Sequence, residues 1–352
     1  MKKFILFGLV LLLLAGCAAQ VGEEKTLTVM THDSFAVSEE LVTRFEEENG
    51  VQLVFLKSGD TGSALNRAVL MKRSPEADVF YGVDNSFLSR ALEEDLFLPY
   101  ASPALEQIAD EFKLDAQNRA LPVDYGDVCI NYDKAYFASR DLALPQSLED
   151  LLKPEYGKGE DREGLLVVEN PAVSSPGLAF LLATIAEFGE EGYLEYWQAL
   201  KDNGLVVVND WSTAYYTNFS ASSGKGAQPM VVSYASSPAV EVVYAAEPVQ
   251  DAPTASLVGQ GMCFRQIEFV GILRGTKQEK LAQKFVDFML SKDFQEDMPL
   301  QMFVYPVNPE ANLPEVFVKY NQVPDSVSGL DPAMIAEKRE AWIQAWTDVV
   351  LK

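Results

Sequence analysis

The sequence predicts an α/β protein of two lobes, with mixed, mostly parallel sheets and two crossover hinge segments between them. Three observations carry that expectation. Strand and helix patterns alternate from residue 26 to 83, and a second alternation runs from 147 to 234. Two long extended segments, LPVDYGDVCINYDK (121–134) and CFRQIEFVGIL (263–273), flank the second run. A chain that crosses near 124–132 and returns near 258–270 leaves a cleft between lobes and a hinge beneath it. A single large α/β domain is the alternative, and periodicity alone leaves it open.

The elements follow in order. TLTVMT (26–31) alternates apolar and polar residues as a strand does. SEELVTRFEEENG (38–50) puts Leu41, Val42 and Phe45 on one helical face, with Ser38 suited to the start and Gly50 to the stop. VQLVFL (51–56) is a strand, TGSALNRAVLMKR (61–73) a helix and ADVFYGV (77–83) a strand. This βαβαβ order predicts a parallel sheet with helices on its faces. After the first crossover come a short helix (147–153), a strand (164–170) and two helices (176–189 and 192–203). A strand (205–210), a helix (212–221) and a strand (229–234) complete the second run. Beyond the second crossover, 280–291 and 331–351 read as amphipathic helices. The expected lobes are 26–124 with 264–352, and 125–263.

The N-terminus differs in kind. Lys2 and Lys3 precede an apolar run too short to span a bilayer comfortably, and Leu14-Ala15-Gly16-Cys17 follows. This order resembles a bacterial lipoprotein signal, cut before Cys17, which then carries lipid. Residues 1–17 are the expected leader and 18–25 a tether, which implies an extracytoplasmic, lipid-anchored protein. A plain signal peptide or an anchor helix is the alternative.

Composition excludes several classes. The 352 residues carry a net charge of −24, which opposes nucleic-acid phosphates. The single histidine, His32, all but removes a zinc site or a histidine-based triad. Cys129 and Cys263 are the two cysteines beyond the leader; they either pair or remain buried thiols. No nucleotide-loop, GxSxG or HExxH motif occurs. A binding protein without a cofactor fits this inventory better than an enzyme.

The unusual residues gather in loops after the predicted strands, where a cleft would lie. Thr31-His32-Asp33-Ser34-Phe35 follows the first, and Asp60 precedes the second helix. Asp84 follows the third strand. These carboxylates suit a positive ligand or a helix cap. Ser174-Ser175-Pro176-Gly177 opens an apolar helix, where it either caps the helix or receives an anion. Trp211, Tyr215 and Tyr234 sit at loop-to-helix junctions, with Ser236 beside the last. They suit stacking on a flat cation, although core packing explains any one of them.

Together these stretches resemble the thiamine-binding proteins of ABC importers, within the type II periplasmic-binding-protein fold. The matching segments are THDSF (31–35), LNR (65–67), ADVFYGVDN (77–85), DYG (124–126) and PAVSSPGLAFLL (171–182). WSTAYY (211–216), VVSYASSPA (231–239), LAQKFVDFML (281–290), VYPV (304–307) and AWIQAW (341–346) follow in the same order. The resemblance implies a two-lobed clamp on thiamine, thiamine monophosphate or thiamine diphosphate, delivering it to an importer permease. It implies that Trp211, Tyr215 and Tyr234 line the cleft, that Ser174, Ser175 and Gly177 meet the phosphate end, and that Asp84 is a polar cleft residue. His32 stands where the family has a Tyr, and Phe303 where a Trp is usual. Two alternatives remain. A ferric-iron protein of the same fold would use Tyr215 and Tyr216 as phenolate ligands. An enzyme acting on a thiamine-like pyrimidine would need a nucleophile in the cleft.

Overall fold

The computed structural model describes residues 25–160, 162–222, 226–324 and 326–352. The expected leader with Cys17, and the tether apart from Lys25, lie outside the described residues. Strands β1 (Lys25–Thr31), β2 (Val51–Lys57) and β3 (Val79–Asp84) alternate with helices α1 (Glu39–Asn49) and α2 (Thr61–Leu70). β1 pairs in parallel with both β2 and β3, as the alternation predicts. Helix α3 (Leu88–Glu93) and the short β4 (Phe97–Leu98) lead to β5 (Leu121–Asp133), the first crossover.

The second run contains α4 (Lys134–Ser139), β6 (Leu166–Glu169), α5 (Ser175–Asp202), β7 (Val206–Val208), α6 (Trp211–Thr213) and β8 (Met230–Tyr234). The two helices predicted over 176–203 form one span, broken where Gly189 adopts φ 71°. The helix predicted over 212–221 is a single α turn followed by π-helical Ala214–Asn218. Helix α7 (Ser237–Val243) and β9 (Thr254–Leu257) precede β10 (Phe264–Leu273), the second crossover. Helices α8 (Glu279–Met289) and α9 (Lys292–Gln301), β11 (Tyr305–Pro306), α10 (Glu315–Tyr320) and α11 (Pro332–Val350) complete the chain.

The strand order β2-β1-β3-β10-β5-β8-β6-β7 makes one path through both halves. β10 runs antiparallel between β3 and β5, and β5 continues antiparallel to β8. The two long strands therefore join the halves side by side. They are tied across the join. Arg265 donates to both carboxylate oxygens of Asp127 at 2.8 and 2.9 Å. Its guanidinium also lies 5.1 Å from the Tyr125 ring centroid. One step beyond the Val128–Phe264 pair, Cys129 and Cys263 form a disulfide with Cα atoms 4.4 Å apart. That spacing matches the close, non-hydrogen-bonded pairs of an antiparallel ladder.

The C-terminal helices depart from the expected division. α10 packs on α7, and α11 packs on α5 and α3. The chain after β11 thus returns to the second half, because the apolar stripe of α11, with Trp342 and Trp346 buried, finds its partner on α5. No helix among the described residues is long and apolar enough to cross a membrane.

Candidate functional site

Strand ends and helix starts converge on a cleft of about 300 Å³ between the halves. The first half contributes His32, Ser34 and Ala36 after β1, Asp60 and Thr61 at the start of α2, and Glu268 from β10. Gln301 at the end of α9, with Met302, Phe303 and Val304 after it, completes the wall. The second half contributes Ser175 and Pro176 at the start of α5, Trp211 and Tyr216 after β7, and Tyr234, Ser237, Val240 and Tyr244 around α7. Seven of the predicted site residues therefore meet there: His32, Ser34, Asp60, Ser175, Trp211, Tyr234 and Phe303.

Each is fixed by its neighbours. The Trp211 ring stacks on Tyr215 at 5.0 Å with an 18° interplanar angle. Its Nε1–H donates to Ser233 Oγ at 2.9 Å. Phe303 sits at φ 54°, a conformation that bulky residues adopt only where the surroundings enforce it. Its carbonyl accepts from Ser236 Oγ at 2.5 Å, and its ring packs against Tyr244 at 5.8 Å. Burial pushes the Asp60 carboxyl above the usual carboxylate range.

The halves touch directly across the cleft. Trp211 N–H donates to Asp60 Oδ2 at 3.3 Å, and Gly62 N–H donates to the Val173 carbonyl at 3.0 Å. Ser175 Oγ donates to Asp84 Oδ2. These contacts describe a closed clamp. A Cβ on Gly62 would stand 2.8 Å from both Cα and O of Val173. Gly62→Ala should therefore oppose closure by about 1–3 kcal/mol, the usual cost of overpacking. It should keep α2 intact, since alanine favours helix by up to about 1 kcal/mol over glycine. Titration calorimetry should show solute affinity reduced about tenfold at undiminished thermal stability; unchanged affinity would mean that the two segments separate without cost.

Six predicted residues take other places. Asp33 is exposed and holds its loop, accepting from Gly59 N–H at 2.9 Å. Asp84 lies beneath the cleft, where it accepts from Ser86 N–H at 2.7 Å, from Ser86 Oγ and from Ser175. Burial pushes its carboxyl up to about 6. Ser174 is fully buried, and Gly177 is pressed so closely on β6 that a Cβ would stand 2.4 Å from the Glu169 carbonyl. Ser236 supports Phe303 from behind. Tyr215 is 0% exposed and backs Trp211, its hydroxyl donating to Glu241 at 2.8 Å. The cleft receives Tyr216 instead, from the same π-helical segment, in which successive side chains point in different directions. Tyr215 and Tyr216 thus do not both line the cleft. No group of three or more His, Cys, Asp or Glu able to hold a metal occurs among the described residues.

Residues 74–324 match the family of bacterial extracellular solute-binding proteins. The chain belongs to that family. It is 31% identical over 343 residues to the thiamine-binding periplasmic protein of Escherichia coli (strain K12), covering 96% of this chain and 97% of that one. A solved periplasmic thiamin binding protein superposes with a TM-score of 0.79 at 29% identity, over 93% of this chain and 96% of the other. The ferric binding protein of Campylobacter jejuni superposes at 0.73 with 17% identity, over 92% of this chain and 99% of the other, which is a likeness of fold. The type II periplasmic-binding fold and a solute-binding role outside the cytoplasm are thereby established.

The cleft of this solute-binding protein is also lined by residues that the loop pattern did not mark. Glu268 is the main one. It lies 5% exposed within FRQIEFVGIL, where a lone carboxylate in an apolar strand was the available signal. Thr61 donates from Oγ1 to the Gly82 carbonyl at 3.0 Å and joins α2 to β3. Tyr244 and Met302 carried no local signal, since an aromatic or methionine in a helix reads first as core.

Proposed function

We propose that this chain captures thiamine in the cleft and delivers it to the permease of an ABC importer, acting as a binding protein and not as an enzyme. The composition of the cleft carries the reading. Trp211, Tyr216 and Tyr234 offer aromatic faces, Asp60 and Glu268 offer carboxylates, and no lysine or arginine lines it among the described residues. Thiamine is flat and carries a permanent positive charge on its thiazolium ring, which aromatic faces and carboxylates both attract. Likeness to thiamine-binding relatives over nearly the whole chain supports the same ligand. The leader and Cys17 support a lipid anchor outside the cytoplasm. Cys129 and Cys263 face no part of the cleft, so they offer no nucleophile for pyrimidine chemistry. The hinge at β5 and β10 supports lobe boundaries near 124 and 264.

The phosphate esters are a second reading, favoured by one observation. Ser174 is fully buried at the start of α5, and its hydroxyl makes no hydrogen bond of normal geometry among the described residues, although it lies beside the Asp60 carboxyl. A helix start offers free N–H groups and a partial positive charge to a phosphate. Asp84, already bonded to Ser175, opposes an anion there.

The test is calorimetric titration of the ligand-stripped protein with thiamine and thiamine monophosphate, with mass spectrometry of the solute released on denaturation. Thiamine should bind one to one, and a monophosphate that binds at least as tightly would favour the second reading. Ser174→Ala combined with Ser175→Ala should cost the monophosphate about 1–3 kcal/mol and thiamine much less. Equal losses would make the serines helix caps. A released solute that is neither thiamine nor an ester of it, with no heat from thiamine, would overturn the reading.

A further inference from the structure

The floor of the cleft holds the sole histidine of the chain against a carboxylate. His32 is 7% exposed, and its Nε2 lies 3.6 Å from Glu268 Oε1. That nitrogen is buried and has no hydrogen-bond partner among the described residues. Both residues border the cleft. The imidazole is wedged in place. At Gly82, φ is 104°, and a Cβ there would stand 2.5 Å from His32 Cδ2, so glycine makes room for the ring. Tyr81 packs beside it at 5.7 Å between centroids. The Tyr81 hydroxyl lies 2.7 Å from Asp124 Oδ2 and 3.0 Å from Glu268 Oε2, so one hydroxyl proton serves two carboxylates.

The titratable groups around His32 are Asp33 on its own loop, Asp60 before α2, Tyr81 on β3 and Glu268 on β10, with Asp84, Asp124 and Tyr234 behind them. None of these is a cation. In the empty cleft, the imidazolium is the positive charge that this acidic floor can hold. A cationic solute seated there would occupy the same field.

We propose that His32 and Glu268 form a proton-linked selector, in which a cationic solute that settles against Glu268 displaces the proton of His32 into solvent. The charge balances. Imidazolium, carboxylate and free cation become neutral imidazole, carboxylate and bound cation, with one proton released. The inference rests on the thiamine reading above. Burial lowers the His32 pKa, but Glu268, Asp60 and Asp33 together raise it above the ordinary histidine value. Below that raised pKa, His32 is protonated before the solute arrives.

Two consequences follow from linkage. Proton and cation compete, so affinity rises about tenfold per pH unit below the His32 pKa and levels off above it. A neutral isostere displaces no proton, so its affinity should not rise with pH. The selector thus favours cations most where His32 is neutral.

The single histidine makes the test direct. In untagged protein, the one imidazole resonance in the proton NMR spectrum reports His32 alone. Thiamine should lower its midpoint by about two pH units or more. Calorimetry about one pH unit below the free midpoint, in buffers of low and high ionisation enthalpy, should show release of close to one proton per thiamine. Deazathiamine, the neutral thiophene isostere, should bind with no proton released. His32→Gln should bind thiamine with a flat profile from about pH 5.5 to pH 8. Proton release that persists in His32→Gln would assign it to the carboxylates and overturn the role of His32. A midpoint that thiamine leaves unmoved would do the same without any variant. Thiamine binding at pH 8 with a flat wild-type profile would sink the selector alone, whereas no binding at pH 8 would overturn the ligand reading and the selector with it.

Discussion

Trp211→Ala should weaken thiamine binding by at least tenfold, and by up to several hundredfold. The indole borders the cleft with its plane set by Tyr215, and its nitrogen is tethered to Ser233. Such a ring is ordered before the ligand arrives, so stacking costs little further entropy. A desolvated cation–π contact contributes about 0.5–2 kcal/mol, and truncating a well-packed tryptophan at a binding surface costs about 2–4 kcal/mol. Each 1.4 kcal/mol is about a factor of ten in affinity. Most of the loss should appear as faster release, since related complexes differ chiefly in dissociation rate. The backbone N–H of residue 211 still reaches Asp60 in the variant, so closure is retained. Stopped-flow release rates with calorimetric affinities measure the effect. An affinity within twofold of wild type would remove the indole from the site. Tyr215→Phe makes the complementary measurement. It keeps the stacking plane and loses only the bond to Glu241, so affinity should fall by no more than the roughly 0.5–1.5 kcal/mol of one hydrogen bond.

Loss of the disulfide should be the largest change in stability. Cys129 and Cys263 are separated by 134 residues and close a loop around the whole second run of strands and helices. Chain entropy for a loop of that order corresponds to about 4–5 kcal/mol, and removal of native disulfides typically costs about 2–5 kcal/mol. Replacing both cysteines with alanine should lower unfolding stability by that amount in urea. Neither sulfur borders the cleft, and the Asp127–Arg265 pair still joins the two strands. Thiamine affinity should therefore stay within about twofold. An unchanged unfolding midpoint would show that the bridge constrains little, and a large loss of affinity at full stability would make it part of the hinge motion instead. Such a bond also suits an oxidising compartment outside the cytoplasm.

Asp84 and His32 contribute to the pH dependence of the ligand-free protein in the same direction. Each has a folded pKa above its ordinary value, so each contributes stability that is present at low pH and lost as pH rises through the folded pKa. For Asp84 that loss runs from about pH 4 to about 6. These two groups thus favour the ligand-free protein less as pH rises from about 4, while thiamine affinity rises until pH passes the His32 midpoint.

Much of the fold was legible from local pattern. Strand alternation and helical stripes over 26–83 and 164–234 carry their own period, because each element must turn one face to a core. The two crossovers were legible as extended segments bounded by two α/β runs, and the cleft loops as unusual residues at strand ends. The order of those loops also sufficed for a family resemblance. What the sequence left open depended on contacts between residues distant along the chain. His32 and Glu268 are 236 positions apart and meet because β10 crosses back beside β3. Whether Cys129 and Cys263 pair was undecidable until the register of β5 against β10 set their Cα atoms 4.4 Å apart. Tyr215 and Tyr216 are neighbours with equal local claims on the cleft, and a π-helical turn buries one and presents the other. The same limit applies to α11, whose stripe predicts a helix but not its partner; only the packing of Trp346 on Trp197 assigns it to α5. Periodicity specifies which face of an element is buried, whereas long-range pairing decides what that face meets, and therefore which polar side chains share the cleft.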